Sequence, residues 1–357
     1  MKTGLKLCMT ILVSFLTLSL LGCASDDPAD VETRPQTFNL SMATFWPATA
    51  FQVTHLHQLW MDEVEKRTEG RVKITLHPGG VLLGATEIYN GVATGVADLG
   101  TTCPSYTPGM FPLIEAFELP GFRNVNAAAA SMTINEGYKR IRQELGRDEF
   151  DDLKVLFLWA TGPGNIMSKR PVNTLEDMQG MEIRAVGGTI PSIERLGATT
   201  HAMPMSEAYL ALDQGLVNGI LAPNETLRAF RLAEVIDYVT NTPFLYNIAF
   251  IKIMNRNTWN SLPADIQQVF EEMNDEFALK YSSMMDEFSE DILQQAVEEH
   301  GISIIELADD ERQRWLSRVE PVTENWIARR EGQGLPAAQV VDIVRELDEK
   351  YSDMYGN

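Results

Sequence analysis

Cysteine is scarce in this chain, and its scarcity removes two kinds of structural support. Cys8, Cys23 and Cys103 are the three that occur among 357 residues. Cys8 lies in an N-terminal apolar run that we expect to be cleaved, and Cys23 directly follows that run. The exported domain would keep Cys103 alone, so it forms no intrachain disulfide and no cysteine-based zinc site. It must therefore rest on a hydrophobic core, for which a chain of this length is sufficient.

Positive charge is scarce as well. Lys and Arg number 29 against 50 Asp and Glu, and the formal net charge at pH 7 is −21. Loss of Lys2 and Lys6 with the N-terminal segment takes the net charge from −21 to −23. A field of this sign argues against nucleic acid or an anionic membrane surface as a partner. An anionic ligand would have to be held by local cations.

Motifs that would indicate an enzyme are missing. The sequence has no Gly-x-Ser-x-Gly, and its glycine-rich stretches lack the spacing of phosphate loops or dinucleotide fingerprints. We therefore predict neither catalysis nor a cofactor. His55 and His57 point to different faces of a predicted helix, so no metal site is expected there. The alternative is a cleft enzyme that uses Cys103 as a nucleophile, which would need a His base within hydrogen-bond reach.

The N-terminus has the features of an export signal. A short basic head precedes an apolar run over residues 7–21, which stops at Gly22-Cys23. This pattern predicts a lipoprotein signal peptide over residues 1–22 with lipid attached to Cys23. An ordinary signal peptide followed by an unrelated Cys is the alternative. Residues 23–36 are polar without apolar periodicity and are predicted to be a tether. We expect a periplasmic or other extracytoplasmic protein of a bacterium, anchored to a membrane.

The rest of the chain alternates strand and helix patterns. Apolar alternation and helical spacing give a β-α-β-α-β order in the first half and repeat in the second, which predicts an α/β fold. Residues 262–300 have helical composition almost throughout and contain no Gly. A helix of that length spans roughly 55 Å and is expected to brace two lobes. Ligands of such sheets bind beyond the carboxyl ends of the strands.

Five ordered segments carry a resemblance to a known family. They are EVEKRTEGRVKITLHPGG, GVATGVADLG, SKRPVNTLEDMQGMEIRAV, MPMSEAYLALDQGLVNGI and WNSLPADIQQVFEEM. With these segments the chain resembles the solute receptors of tripartite ATP-independent periplasmic (TRAP) transporters, of the DctP type. The resemblance implies a type II-like two-lobed fold with a long helix across both lobes. It also implies capture of an organic acid for a membrane permease pair that an ion gradient drives.

The resemblance and the length of the segments together suggest lobe boundaries. The first lobe is predicted to comprise residues 37–160 with about 247–285. The second is predicted to comprise residues 161–246 with the C-terminal helices, about 286–357. A sensing lipoprotein of the same fold, which feeds a signalling receptor instead of a permease, is the alternative function.

The resemblance also implies a role for Arg184 in the segment MEIRAV. In such receptors the Arg of this strand pairs with the ligand carboxylate, and a guanidinium fork matches a carboxylate with two parallel hydrogen bonds. The alternative, from the pattern alone, is a surface pair with Glu182, two residues away on the same side of the strand. The other predicted ligand-binding residues are Phe45, Trp46, Cys103, Ser105, Asn165, Met205, Asn224 and Tyr246.

Departures from the family pattern point to the ligand class. Polar positions are replaced by Ala222 and Cys103, a second Arg before the SKRP segment is missing, and Phe45-Trp46 follow the first strand. Each change removes a polar contact or adds an apolar one. We therefore expect a ligand with one carboxylate and an apolar or aromatic body, instead of a dicarboxylate or a polyol acid.

Overall fold

The computed structural model describes residues 36–123 and 125–356. The predicted signal peptide, Cys23 and nearly all of the tether lie outside the described residues. Among the helices that are described, none combines the length and the apolar composition needed to cross a membrane.

Strands of the described chain join in one continuous sheet. They are β1 (Phe38–Thr44), β2 (Val72–His77), β3 (Leu99–Thr102), β4 (Leu153–Ser168), β5 (Glu182–Ala185), β6 (Thr199–Ala202), β7 (Gly219–Pro223), β8 (Tyr238–Asn241), β9 (Asn247–Asn255) and β10 (Ser303–Glu306). The order across the sheet is β2-β1-β3-β9-β4-β7-β5-β6, and β8 pairs with β4 and β10.

Helices cover both faces of this sheet. They are α1 (Gln58–Arg67), α2 (Ile88–Ala93), α3 (Ala127–Leu145), α4 (Ile190–Arg195), α5 (Met205–Asp213), α6 (Thr226–Ala229), α7 (Arg256–Ser261), α8 (Ala264–His300), α9 (Asp309–Glu331) and α10 (Ala337–Tyr355). A π-helical segment, Gln52–His57, leads directly into α1. Short 3₁₀ turns occur at Pro104–Tyr106, Ile114–Glu118 and Gly187–Thr189.

The sheet has two halves, each with its own set of parallel strands, and each half belongs to one lobe. In the first lobe β1 runs parallel to β2 and β3, and in the second β5 runs parallel to β6 and β7. The long strands β9 and β4 are antiparallel to their neighbours and join the halves. The predicted two-lobed α/β fold is therefore confirmed.

One strand, β4, crosses from lobe to lobe. Its first part pairs with β9, and its last five residues, 164–168, pair with β7. A register shift between Ala160 and Pro163 lies at the crossing. Such irregularities bend a strand locally, so the chain changes direction where the two lobes meet.

The long helix α8 has 37 residues and braces both lobes, as predicted. It packs on β4 and α3 and contacts α1 in the first lobe and α6 in the second. Pro263 directly precedes it, where the missing N–H costs no helical hydrogen bond.

Two features of the helices were not apparent from the sequence. Helix α3 was not predicted, and its buried face consists largely of Ala, Ser, Thr and Asn instead of large apolar residues. Helix α5 begins at Met205 after Pro204 and has no side-chain cap. One of its free amides is satisfied differently, since Met205 N donates to Tyr106 Oη at 3.2 Å.

The two C-terminal helices contact each other, and each also packs on a different helix. Helix α9 contacts α4, whereas α10 packs on α3. The buried stripe of α10, which includes Val340, Val344 and Leu347, explains its packing, because it needs a large apolar partner. The predicted lobe boundaries stay a prediction.

Candidate functional site

A cavity with an empty volume of about 340 Å³ lies between the lobes. Its walls come from the segments that follow β1, β5 and β7 and from the crossing strands, as expected for an α/β sheet. The lining residues are Phe45, Trp46, Tyr106, Thr161, Arg184, Val186, Met205, Pro223, Glu225, Thr226, Phe230, Tyr246, Ile248 and Phe250. This space is narrow, so an organic acid can enter only if the lobes or side chains move.

Arg184 is the cation of this cavity. It lies on β5 between β6 and β7, and its side chain is only 2% exposed. Nε donates to the carbonyl of Met203 at 2.9 Å and Nη1 to that of Leu221 at 3.4 Å. The Tyr106 hydroxyl lies near the guanidinium, but no described residue completes a hydrogen bond of good geometry with Nη2. Because a buried donor without a partner costs free energy, this end of the fork is ready for an acceptor.

The alternative role for Arg184, a surface pair with Glu182, is not formed. Glu182 Oε2 instead lies 2.6 Å from Nε2 of His201 on the neighbouring strand β6. Among the described residues no carboxylate lies within ion-pair distance of Arg184. Two backbone carbonyls orient the guanidinium and fix its plane without neutralising its charge.

Aromatic rings form one wall of the cavity. Phe45 and Trp46 stack with their centroids 4.2 Å apart. Phe250 of β9 lies 4.8 Å from Trp46, and Phe230 of the second lobe lies 6.4 Å from Phe45. Flat apolar surfaces of this kind favour a flat apolar ligand body.

Tyr246 lines the cavity just before β9 and contacts the second lobe. Its hydroxyl donates to the carbonyl of Leu221 at 3.4 Å, the same carbonyl that orients Arg184. Gly164 of β4 lies directly against the ring, and a Cβ at this position would overlap the ring carbons. The Gly-Pro-Gly stretch of β4 thus makes room for an aromatic side chain in the cavity wall.

Five predicted site residues line the cavity and four do not. Those that line it are Phe45, Trp46, Arg184, Met205 and Tyr246. Asn165 and Asn224 instead bond to each other at 2.9 Å, and Asn165 Oδ1 also accepts from Thr242 N at 2.9 Å. Their polar groups are therefore occupied with each other and with the backbone.

Cys103 and Ser105 lie behind the cavity wall. Ser105 donates a hydrogen bond to Glu118, and Cys103 is a buried free thiol. Burial, with a further contribution from Glu118, raises the pKa of the Cys103 thiol well above its usual value. A thiol held neutral is a poor nucleophile, so the structure gives no support to catalysis by Cys103.

Glu225 was not among the ligand-binding residues predicted from the sequence. It follows β7, lines the cavity and is 1% exposed. Burial raises the pKa of its carboxyl to about 7. Phe230, Ile248 and Phe250 were missed because each lies in an ordinary apolar stretch. Among the described residues, no three His, Cys, Asp or Glu side chains are grouped so as to hold a metal ion.

Contacts between the lobes close the cavity on one side. Tyr106 of the first lobe accepts from Met205 N of the second. Gly187, just after β5, lies against the Ser105 and Glu118 side chains of the first lobe. The structure therefore shows the two lobes in direct contact beside the cavity.

These features define a two-lobed receptor whose interlobe cleft presents one buried guanidinium and an aromatic wall. Residues 42–330 match the model of the family described as bacterial extracellular solute-binding protein, family 7 (DctP). The chain belongs to this family, and the predicted resemblance to DctP-type TRAP receptors is confirmed. Its relatives are solute-binding receptors, so the expectation that the protein is not an enzyme is also confirmed.

Solved structures show the same fold. A TRAP solute-binding protein from Rhodoferax ferrireducens, in complex with copurified benzoate, is 27% identical with a TM-score of 0.84, covering 89% of this chain and 99% of that one. An open complex from Desulfovibrio salexigens is 36% identical with a TM-score of 0.75, covering 90% and 97%. Among relatives found by sequence, the C4-dicarboxylate-binding periplasmic protein DctP of Rhodobacter capsulatus is 25% identical, and the match covers 74% of this chain and 79% of that protein.

Proposed function

We propose that the protein is the receptor of a TRAP transporter for an organic acid with one carboxylate and an apolar or aromatic body. The observation that carries this proposal is the buried Nη2 of Arg184, which has no partner and belongs to an aromatic-lined cavity. A ligand carboxylate would complete the hydrogen bonds of the guanidinium and neutralise its charge. The copurified benzoate of the Rhodoferax ferrireducens protein supports the ligand class.

The mechanism follows from the position of the cavity. Arg184 captures the carboxylate on the second lobe while the lobes are apart, and Phe45 and Trp46 of the first lobe then cover the apolar body. The ligand contacts both lobes only when they are closed, so its binding shifts the equilibrium towards closure. The closed receptor then delivers the acid to the membrane permease subunits. Lipid attachment at Cys23 would keep it beside them.

Substitution of Arg184 tests this proposal. We expect Arg184→Ala to weaken acid binding about thirtyfold or more, because the ligand carboxylate would stay buried without its partner. Arg184→Lys should also weaken binding, since an ammonium does not reproduce the planar fork. Titration calorimetry on protein freed of copurified ligand measures both effects, with benzoate and phenylacetate as probes.

Arg195→Ala is the matched control, because Arg195 is an exposed arginine on α4 of the same lobe. It should bind like the wild type. An unchanged affinity in Arg184→Ala would remove the central assignment. Native mass spectrometry of the freshly purified protein adds the ligand's identity. A retained dicarboxylate or sugar acid would keep the receptor function and refute the ligand class.

A further inference from the structure

The cavity contains a second buried charged group opposite in sign to the first. Arg184 and Glu225 are its charged lining residues, and both are at most 2% exposed. The described residues show no ion pair between them. Both charges affect the pKa of Tyr246, which lies near each of them. The cavity therefore has one site for an anion and, separated from it, one site that receives hydrogen bonds.

Glu225 has spare capacity to accept hydrogen bonds. Its Oε2 accepts from Ser289 Oγ of α8 at 3.4 Å, and the carboxyl also accepts from its own backbone amide. A carboxylate offers about four acceptor positions. No Lys, Arg or His of the described chain pairs with it. A buried carboxylate with so few partners is costly unless a ligand supplies a donor.

We propose that Glu225 accepts a hydrogen bond from a hydroxyl or amino group on the ligand, so that the receptor selects hydroxylated or aminated monocarboxylic acids. This inference rests on the proposed function, because Arg184 is taken to hold the carboxylate. It also gives a physical reason for rejecting dicarboxylates. A second ligand carboxylate would meet Glu225, and two like charges in one dry cavity repel each other strongly.

The proposal predicts that the preference for a hydroxy acid over its unsubstituted parent grows with pH. Burial places the pKa of Glu225 at about 7 in the ligand-free cavity. Both ligands bring a carboxylate, which favours the protonated form of Glu225, but only the hydroxy acid brings a donor that favours the ionised form. As pH rises through this value, affinity for the hydroxy acid should therefore rise relative to affinity for its parent.

Other groups around Glu225 do not reverse this expectation. Asp286 of α8 faces it and contributes to raising its pKa, while Ser289 of the same helix donates to it. Tyr246 has its pKa raised far above neutral by burial and stays protonated, and burial likewise raises the pKa of Tyr106 to about 12. Glu118 of the first lobe has its pKa raised by burial to about 7 as well, but it does not line the cavity. Glu225 is thus the lining residue whose pKa lies near neutral pH.

Matched ligand pairs and variants of Glu225 test the inference. The pairs are benzoate with meta- and para-hydroxybenzoate, and phenylacetate with mandelate, titrated at about pH 6 and about pH 8. In the wild type we expect at least one hydroxy acid to bind about tenfold more tightly than its parent at the higher pH. Glu225→Gln should reduce this preference and remove its change with pH. Glu225→Met, which has no carbonyl or carboxylate acceptor, should abolish the preference. Glu287→Gln, on the exposed side of α8, is the control and should change nothing.

The outcomes separate the two proposals. If the parent acids bind through Arg184 but the hydroxyl preference is absent, or survives in Glu225→Met, the role of Glu225 is refuted and the receptor for apolar acids stands. If none of the probes binds, or Arg184→Ala binds them unchanged, the proposed ligand class fails and the inference fails with it.

Discussion

At the scale of single residues, Lys252 on β9 is a buried lysine without a carboxylate partner. It is fully buried, and Nζ lies 4.0 Å from the ring centroid of Trp60 and 3.3 Å from the hydroxyl of Tyr281. Its other polar neighbour is His57, whose Nδ1 is 3.5 Å away. Burial lowers the pKa of Lys252 well below its usual value, and that of His57 likewise. Contacts with aromatic rings and one hydroxyl replace only part of the hydration that a charged ammonium loses on burial.

Replacing Lys252 by Met should stabilise the protein in a pH-dependent way. Between the lowered folded pKa and the unfolded value near 10.5, the unfolded chain binds one more proton than the folded one. Wild-type stability therefore rises with pH in this window, by up to about 1.4 kcal/mol per pH unit. Lys252→Met removes this dependence, so its stabilising effect should be larger at about pH 7 than at about pH 9.

Urea denaturation at both pH values measures this difference in the free energy of unfolding. Lys73→Met, at an exposed lysine of β2, is the control and should show nearly the same small effect at each pH. A difference between Lys252→Met and wild type that does not change with pH would mean that Lys252 is charged in the folded state.

At the scale of elements, α8 is fixed to both lobes by two polar side chains one turn apart. Asp286 accepts from the backbone N–H groups of Ala127 at 2.6 Å and Ala128 at 2.9 Å, the first residues of α3. Ser289 donates to Glu225 in the second lobe. The helix thus serves as a rod held at two points, and the position of Glu225 depends on it.

Asp286→Ala should destabilise the fold by about 1 to 2 kcal/mol, because two amides at the start of α3 lose their acceptor. Urea denaturation gives the free energy, and hydrogen exchange of the first turn of α3 should become faster. Asp291→Ala makes the same change at an exposed position of the same helix and should leave both readouts unchanged. Equal stability in the two variants would refute the capping role.

The sequence predicted local elements of this fold better than contacts between distant segments. Helix α8 was found from its helical composition without Gly, and the strand that carries Arg184 was found from its local sequence pattern. The pairing of Asn165 with Asn224 was not predictable, since it depends on the antiparallel register of β4 and β7, which no local pattern specifies. Glu225 looked unremarkable for a similar reason. Only the packing of α8 shows that this carboxyl is buried.

At the scale of the whole molecule, closure of the lobes depends on a close contact at Gly187, where the second lobe has no side chain between its backbone and the first lobe. Gly187 has φ of 52° and follows β5 in the second lobe. A Cβ at this position would overlap Ser105 Oγ and lie 2.9 Å from Glu118 Oε2, both in the first lobe. Glu118 is itself buried, and burial raises the pKa of its carboxyl to about 7. Bulk at residue 187 would therefore oppose closure.

Gly187→Ala should therefore weaken ligand binding without touching the cavity. Gly180→Ala is the matched control, because Gly180 also has positive φ, at 69°, but no atom lies within 4 Å of its Cβ position. In both variants backbone strain lowers the free energy of unfolding by about 1 kcal/mol, so both should unfold at similar urea concentrations. Only Gly187→Ala should lose affinity for the acid probe, and small-angle scattering should show a smaller ligand-induced decrease in its radius of gyration. If both variants bind and contract like the wild type, the contact at Gly187 is not needed for the bound state, and closure must be limited elsewhere.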